Sequence, residues 1–502
     1  MASEPTGAPT PPIPIGAAPD AVTARLPASP VAVSEAVLAR VRDICADVVV
    51  EAEAINEASR DWWPLAMAWA RDGQIAARAA VVARPSTAAE VSAVLAVCND
   101  AVVPVTAAAG RSGVCGASVP VHGGVVLDMC GLAGIVDVDD ESLVLDVLPG
   151  TFGTWLESTL RDEHGVTLGH WPQSIDLSTV GGWLACRGAG QYSTRYGKIE
   201  DMVVGLDVVL ADGRTIRTGG APRAAVGPDL NQLFVGSEGT LGIISGARLR
   251  LHPRPPAERR AAFGFDSFVD GLDACRRVVQ RGATPAVLRL YDAVEGQRNF
   301  ETGDRHVLLV LDEGDEELVE ATLDVVLEEC LNAGAETLDT ALVGRWLEHR
   351  NDVSALEALI SRRYVVDTME VAGRWSALPR IYKETCAAMA AVDSTLSVSA
   401  HQSHAYPDGA CIYFTFAGRP EPVRQDGYYR EVWNAGTRAV LAAGGALSHH
   451  HGVGLNRARF VREALGDAFD VLAAVKSALD PNGILNPGKL GLPDPFGDPA
   501  WP

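Results

Sequence analysis

Three consecutive histidines, His449, His450 and His451, precede Gly452-Val453-Gly454. Imidazole titrates near neutrality, so such a run ahead of a flexible Gly-x-Gly concentrates proton-transfer capacity where backbone can come close to a ligand. The run is internal and flanked by apolar helix-like sequence, which does not fit a purification tag. Metal binding is the other chemistry imidazole offers. Adjacent residues project in different directions and no companion Cys or HExxH-type pattern accompanies them, so no metal is assigned.

Three further segments offer backbone and small polar groups. Residues 107–118 run Ala-Ala-Ala-Gly-Arg-Ser-Gly-Val-Cys-Gly-Ala-Ser. So little side-chain bulk lets successive N–H groups turn toward one point, an anion nest suited to a pyrophosphate, although a tight structural turn has the same composition. Residues 171–182 combine Gln173, Ser174, Ser178 and Thr179 with Gly181-Gly182, a set able to hold a flat heteroaromatic ring and its linker. Residues 236–244, Gly-Ser-Glu-Gly-Thr-Leu-Gly-Ile-Ile, again place backbone beside apolar cover.

Together the small-residue loop, PxSxxxSTVGG and GSEGTLGII resemble the FAD-binding domain of the vanillyl-alcohol oxidase superfamily, over about residues 79–253. Within it, residues 172–182, 195–201, 227–229, 409–414 and the SHHHGVG run resemble the alkyldihydroxyacetonephosphate (alkylglycerone-phosphate) synthases, and the likeness reaches Asn486-Pro487-Gly488-Lys489. The resemblance implies FAD held by Ala109, Gly110, Arg111, Ser112, Gly113, Val114 and Gly116, by Pro172, Ser174, Ser178, Thr179, Gly182, Arg187 and Gly188, and by Glu238, Gly239, Gly242, Ile243 and Ile244. The loop over 107–118 lacks the histidine that covalent members use, so the FAD is expected to be noncovalent; Cys115 reads as a small packed residue.

Carried over to this chain, the resemblance sets Tyr413 and the histidine run against the flavin and brings Arg289 to the substrate. Arg289 sits inside an apolar strand pattern and needs an anionic partner, either substrate or Asp292. Arg457 is a second candidate phosphate ligand, with a solvated helix-start charge as the alternative. His404 is either an aid to proton transfer or a hydrogen-bonded structural residue.

The implied reaction is exchange of the acyl group of acyl-dihydroxyacetone phosphate for a fatty alcohol. It requires a base beside the carbonyl and cations for the phosphate. The alternative is an FAD-linked dehydrogenase or oxidase of a 2-hydroxy acid or alcohol. Relatives of that kind show EHGIG and a GDGN stretch where this chain has HHHGVG and Tyr406-Pro407-Asp408-Gly409-Ala410-Cys411.

The elements that must position these residues follow from pattern. Residues 1–32, rich in Pro and Ala, read as a disordered leader, and 33–78 as an N-terminal helical segment with a helix over 33–57. Strand 79–83, a helix behind the capping box at Thr87 and strand 102–106 form a βαβ unit. Further strands are expected at 125–129, 135–138 and 143–147, and a hairpin over 203–218 turns at Asp212-Gly213. The FAD-binding domain, two α/β subdomains, spans 79–256. A cap domain over 257–445 alternates strand and helix in the manner of an antiparallel sheet backed by helices, which makes the fold class α+β. Residues 446–502 carry the histidine loop and a helix over 459–479 back to the FAD domain.

At 502 residues the chain exceeds one core. Its formal charge of −22 opposes nucleic acid and anionic surfaces, so nucleic acid is excluded as a partner and any phosphate must meet a local basic pocket. Nine scattered cysteines, no basic leader region, no apolar run long enough for a membrane span and no SKL ending fit the cytoplasm. The expected partner is a small-molecule or lipid-tailed phosphate substrate; transient membrane contact and a homodimer are compatible with it.

Overall fold

The computed structural model describes residues 11–26 and 30–497. A four-stranded sheet ordered Asp47–Val49, Val81–Arg84, Val125–Asp128, Val105–Ala108 opens the FAD-binding half. Its last two pairings are parallel, and the helix Ala88–Ala101, whose N-cap Thr87 accepts from the Glu90 N–H, carries the chain from Val81–Arg84 to Val105–Ala108 with Val125–Asp128 between them. A five-stranded antiparallel sheet follows, built around Val203–Val209 and Ile243–Arg250, with the hairpin at Asp212-Gly213 at its edge.

The other half is a seven-stranded antiparallel sheet ordered Glu336–Leu338, Ala257–Phe265, His306–Gly314, Val287–Tyr291, Thr395–Tyr406, Gly409–Gly418, Val365–Arg374. Side chains alternate across it. Leu288, Leu290, Ile412, Phe414 and Phe416 pack into one core with Val278, Met389 and Val432 from the backing helices. The opposite parities, Val287 and Tyr291 among them, face the FAD-binding half and share its core with Trp183 and Leu206. The helices Phe268–Gln280, Glu316–Asn332, Leu378–Ala390 and Gln425–Ala442 therefore back a sheet whose polar positions can only point into the space between the halves. The two α/β subdomains and the helix-backed antiparallel sheet agree with the α+β expectation.

Three local expectations need correction. Residues 11–26 are packed rather than a loose leader: Thr23–Ala24 pairs with Gln74–Ile75, and the buried Arg60 donates to the Ile13 carbonyl. The apolar anchors Ile13, Val22 and Leu26 are buried, but too few to show as a pattern. Residues 1–10 and 27–29 of that leader lie outside the described residues. The helix expected over 33–57 is two, Glu35–Ile44 and Ala52–Ala58, with the strand Asp47–Val49 between them. The closing helix breaks at Gly466, whose φ of +55° is left-handed, into Val461–Leu465 and Ala468–Leu479. All nine cysteines are free, and among the described residues no helix is long and apolar enough to cross a membrane.

Candidate active site

Two buried carboxylates fix the histidine loop. Glu370, on the edge strand Val365–Arg374, accepts from the backbone N–H of His449 (2.5 Å) and His451 (2.7 Å), from Ser448 Oγ (2.8 Å) and from Arg457 Nη1 (3.1 Å). Burial works to raise its pKa, but Arg457, His451 and the two amides hold it below the ordinary value. Glu238, from the GSEGTLG segment, accepts from the amides of Val453 (2.5 Å) and Gly454 (2.9 Å). Gly454 has φ +52°, and a side chain there would strike the Cys115 carbonyl. The histidine loop is thus clamped between the cap sheet and the small-residue loop.

The side chains of that loop close a ring of hydrogen bonds. Tyr413 OH lies 2.7 Å from His450 Nε2, His450 Nδ1 2.9 Å from His449 Nδ1, and His449 Nε2 3.1 Å from Tyr406 OH. Tyr406 OH is 3.3 Å from Ser193 Oγ, Ser193 Oγ 2.7 Å from His404 Nδ1, and His404 Nε2 3.4 Å from Tyr413 OH. With neutral imidazoles each member has one proton to give and one site to accept, so the ring is satisfied in either of two senses of rotation. Burial holds His404, His449 and His450 well below the ordinary histidine value, and mutual repulsion with neighbouring cations adds to it; burial likewise holds Tyr413 well above the ordinary phenol value. The ring is therefore uncharged at neutral pH. The ligand nitrogens of His404, His449 and His450 also lie within 4.8 Å of one another, near enough for a shared ion, but each histidine is engaged in the ring.

Sheet register supplies the rest. Tyr291 pairs with His401, His401 with Tyr413 and Tyr413 with Glu370, so one row crosses four strands. His401 stacks on Tyr413 with centroids 4.5 Å apart. Its Nδ1 meets Glu295 at 2.7 Å and its Nε2 meets Arg289 Nη2 at 2.7 Å, while Arg289 Nε donates to Tyr291 OH at 2.7 Å. Burial first, then the Arg289 charge, lowers His401 to about 4, so neutral His401 donates to Glu295 and accepts from Arg289. Asp292 does not pair with Arg289: it caps the helix Ala293–Phe300 and accepts from the Ala400 amide.

A cavity of 920 Å³ runs from the three loops, past Arg289, His404, Tyr413, His450 and His451, into the cap. Every position expected to hold the cofactor borders it except Gly116 and Arg187. Gly116 packs instead under Trp63 and Leu455, and Arg187 turns against Gly236 and pairs with Glu200 at 3.3 Å. A side chain on Gly110 would strike the Leu177 carbonyl, so two of the loops touch through backbone.

His449 stands one layer behind the wall, bound to Tyr406 and His450, its carbonyl accepting from Lys198. Arg457 is fully buried, on Glu370 and against the Trp433 ring at 5.1 Å, so it is a structural partner and no phosphate ligand. Glu370, Glu295, His401, Ser193 and Tyr406 were not singled out from sequence. Only the polar run Ser399–His404 within a strand signals any of them.

Comparison with known proteins bears on the same regions. Residues 79–219 match the FAD binding domain family and residues 254–490 the C-terminal domain of FAD linked oxidases. An uncharacterized FAD-linked oxidoreductase of Escherichia coli (strain K12), YgcU, is 32% identical over 407 residues, covering 77% of this chain and 83% of that protein. The alkyldihydroxyacetonephosphate synthase of Dictyostelium discoideum is 28% identical over 456 residues, 84% of this chain and 74% of that one. Among solved structures, an alkyldihydroxyacetonephosphate synthase superposes with TM-score 0.77 at 24% identity, covering 91% of this chain and 86% of its own. Substrate-bound p-cresol methylhydroxylase superposes with TM-score 0.76 at 19% identity, covering 94% and 100%.

Proposed function

This chain belongs to the FAD-linked oxidase family and is an FAD-binding enzyme, and we propose that within that family it exchanges the acyl group of an acyl-dihydroxyacetone phosphate for a fatty alcohol. The fit to FAD rests on three backbone-lined loops at one end of the cavity, with Arg111 bordering it. Their lack of histidine supports noncovalent binding. When bound, FAD would supply an electron-accepting ring for the reaction.

The observation that carries the reading is the uncharged ring whose cavity edge is His404, Tyr413 and His450, next to Arg289. A neutral imidazole can accept the proton beside a ketone carbonyl, and Tyr413 can pass it to His450 through a bond already formed at 2.7 Å. His449, Tyr406 and Ser193 orient those groups from behind. Arg289 meets the anionic head. The carbon–oxygen bond to the acyl group breaks, the carboxylate departs, and the alcohol oxygen takes its place after giving up its proton, so electrons balance without an acceptor. Pro64, Val353, Leu356, Leu359 and Phe416 border the cap end of the cavity and suit an alkyl tail. With this reading go a lipid-tailed substrate taken up through transient membrane contact, a homodimer and a cytoplasmic location.

The second reading is oxidation of a 2-hydroxy acid or alcohol, supported by the likeness to an FAD-linked oxidoreductase. Incubation of the FAD-loaded protein with acyl-dihydroxyacetone phosphate and radiolabelled hexadecanol separates them. Label in an ether-linked product with release of one fatty acid is expected; no label, with turnover of D-lactate or glycolate when an electron acceptor is supplied, overturns exchange.

A further inference from the structure

Among the arginines that border the cavity, Arg350 has surroundings unlike those of Arg289. Arg350 follows the helix Ala341–His349, and its guanidinium lies 5.1 Å from the Tyr192 ring, 5.5 Å from Trp346 and 5.6 Å from Trp171. Arg350 Nη1 is buried without a hydrogen-bond partner, and two buried atoms among its neighbours, Trp171 Nε1 and Gln191 Oε1, are unpartnered too. Arg350, Trp346 and Arg289 all border the cavity, and Arg289 also lies on the Trp346 ring, at 6.0 Å. Among the described residues neither arginine is in an ion pair with a carboxylate. The bordering Glu295 is engaged by His401 and Arg298, and Asp352 accepts from the Ser354 amide.

In a chain with 64 acidic and 42 basic residues, Arg289 and Arg350, buried at the cavity without a carboxylate, await an anion. We propose that Arg350, held by Trp171, Tyr192 and Trp346, forms with Arg289 a two-arginine clamp that selects a dianionic phosphate monoester over a monocarboxylate. A monocarboxylate occupies one guanidinium fork, whereas a phosphate dianion offers three acceptor oxygens and can satisfy two. Stacking on aromatic faces keeps the guanidinium plane fixed and its edge directed at the ligand. The clamp rests on the exchange reading only in that its substrate bears a phosphate.

The test titrates FAD-loaded full-length protein with dihydroxyacetone phosphate and, separately, D-lactate, following the flavin spectrum and heat of binding, for wild type, Arg350→Met and Arg350→Lys. Wild type is expected to bind the phosphate at least about 10-fold more tightly. Arg350→Met should weaken phosphate binding about 10- to 100-fold, the loss of one charged hydrogen-bonding group, and leave D-lactate within about twofold. Arg350→Lys should recover part of the loss. FAD content and melting temperature should stay at wild-type values. Unchanged phosphate affinity in Arg350→Met, an equal fall for both ligands, or lost FAD would each overturn the clamp. Label exchange measured on wild type separates the two failures: exchange with Arg350-independent phosphate binding removes the clamp alone, and Arg350-dependent phosphate binding without exchange removes the exchange reading alone.

Discussion

Glu370→Gln changes one atom in the most heavily used carboxylate of the site. The wild-type group is fully buried and accepts four hydrogen bonds, one of them from the fully buried Arg457. The amide oxygen retains one set of donors, but the amide nitrogen now faces another, and the Arg457 charge is left without its counter-ion. Removing one partner of a buried pair costs about 3–5 kcal/mol. Because the two oxygens hold the His449 and His451 amides, one each, and whichever becomes nitrogen releases its amide, the cost falls first on opening of the histidine loop, a local event that hydrogen exchange reads directly. At about 1.4 kcal/mol per decade, exchange at these amides should quicken at least roughly 100-fold. Turnover should fall by about 100-fold, the usual penalty when reacting groups shift by an ångström. Adding Arg457→Met, which removes the stranded charge beside Trp433, should restore part of the protection, so the two substitutions couple. Unchanged protection at His449 and His451 in Glu370→Gln would refute the clamp on the loop.

Other substitutions separate cofactor, proton path and stability. Gly110→Ala should lower FAD content of the purified protein, read as the ratio of flavin to protein absorbance, because the new methyl strikes the Leu177 carbonyl; Gly427→Ala, with open space around it, should not. Tyr413→Phe should keep FAD and lose about 10²- to 10⁴-fold in turnover, and wild-type turnover there would contradict its place in the ring. His170, buried against Trp183 with neither nitrogen bonded, is pushed down to about 3 by burial and by Lys198. A depressed histidine contributes full stability above its unfolded value near 6.5 and loses it as pH falls toward 3, at about 1.4 kcal/mol per unit. The stability of wild type relative to His170→Phe should therefore decline across that window in pH-dependent denaturation, and a constant difference would contradict a neutral buried His170.

Much of the fold was written locally. The helix Ala88–Ala101 forms behind its cap at Thr87, and the Asp212-Gly213 turn closes its hairpin, because each depends on residues a few positions apart. The loops and the histidine run were legible for the same reason: their chemistry sits in contiguous residues. What joins them was not. Glu370 reaches His449 across 79 positions, Glu238 reaches Gly454 across 216, and Ser193 reaches His404 across 211. A carboxylate in an apolar strand does not announce which loop it will hold. The row Tyr291, His401, Tyr413, Glu370 depends on the register of four strands, which neither alternation nor turn type fixed in advance. Arg457 misled because its sequence position beside the histidine loop is the same whether it faces substrate or Glu370. Burial decided between them.

The most direct test of redox-neutral exchange is the flavin absorbance of the FAD-loaded protein, followed anaerobically with no electron acceptor present. Acyl-dihydroxyacetone phosphate should perturb the spectrum, and hexadecanol added afterwards should restore the oxidised spectrum with one equivalent of ether product per flavin and continued turnover. Lasting, stoichiometric bleaching by D-lactate or glycolate, with no recovery until an electron acceptor is supplied and no response to the acyl phosphate, would contradict it.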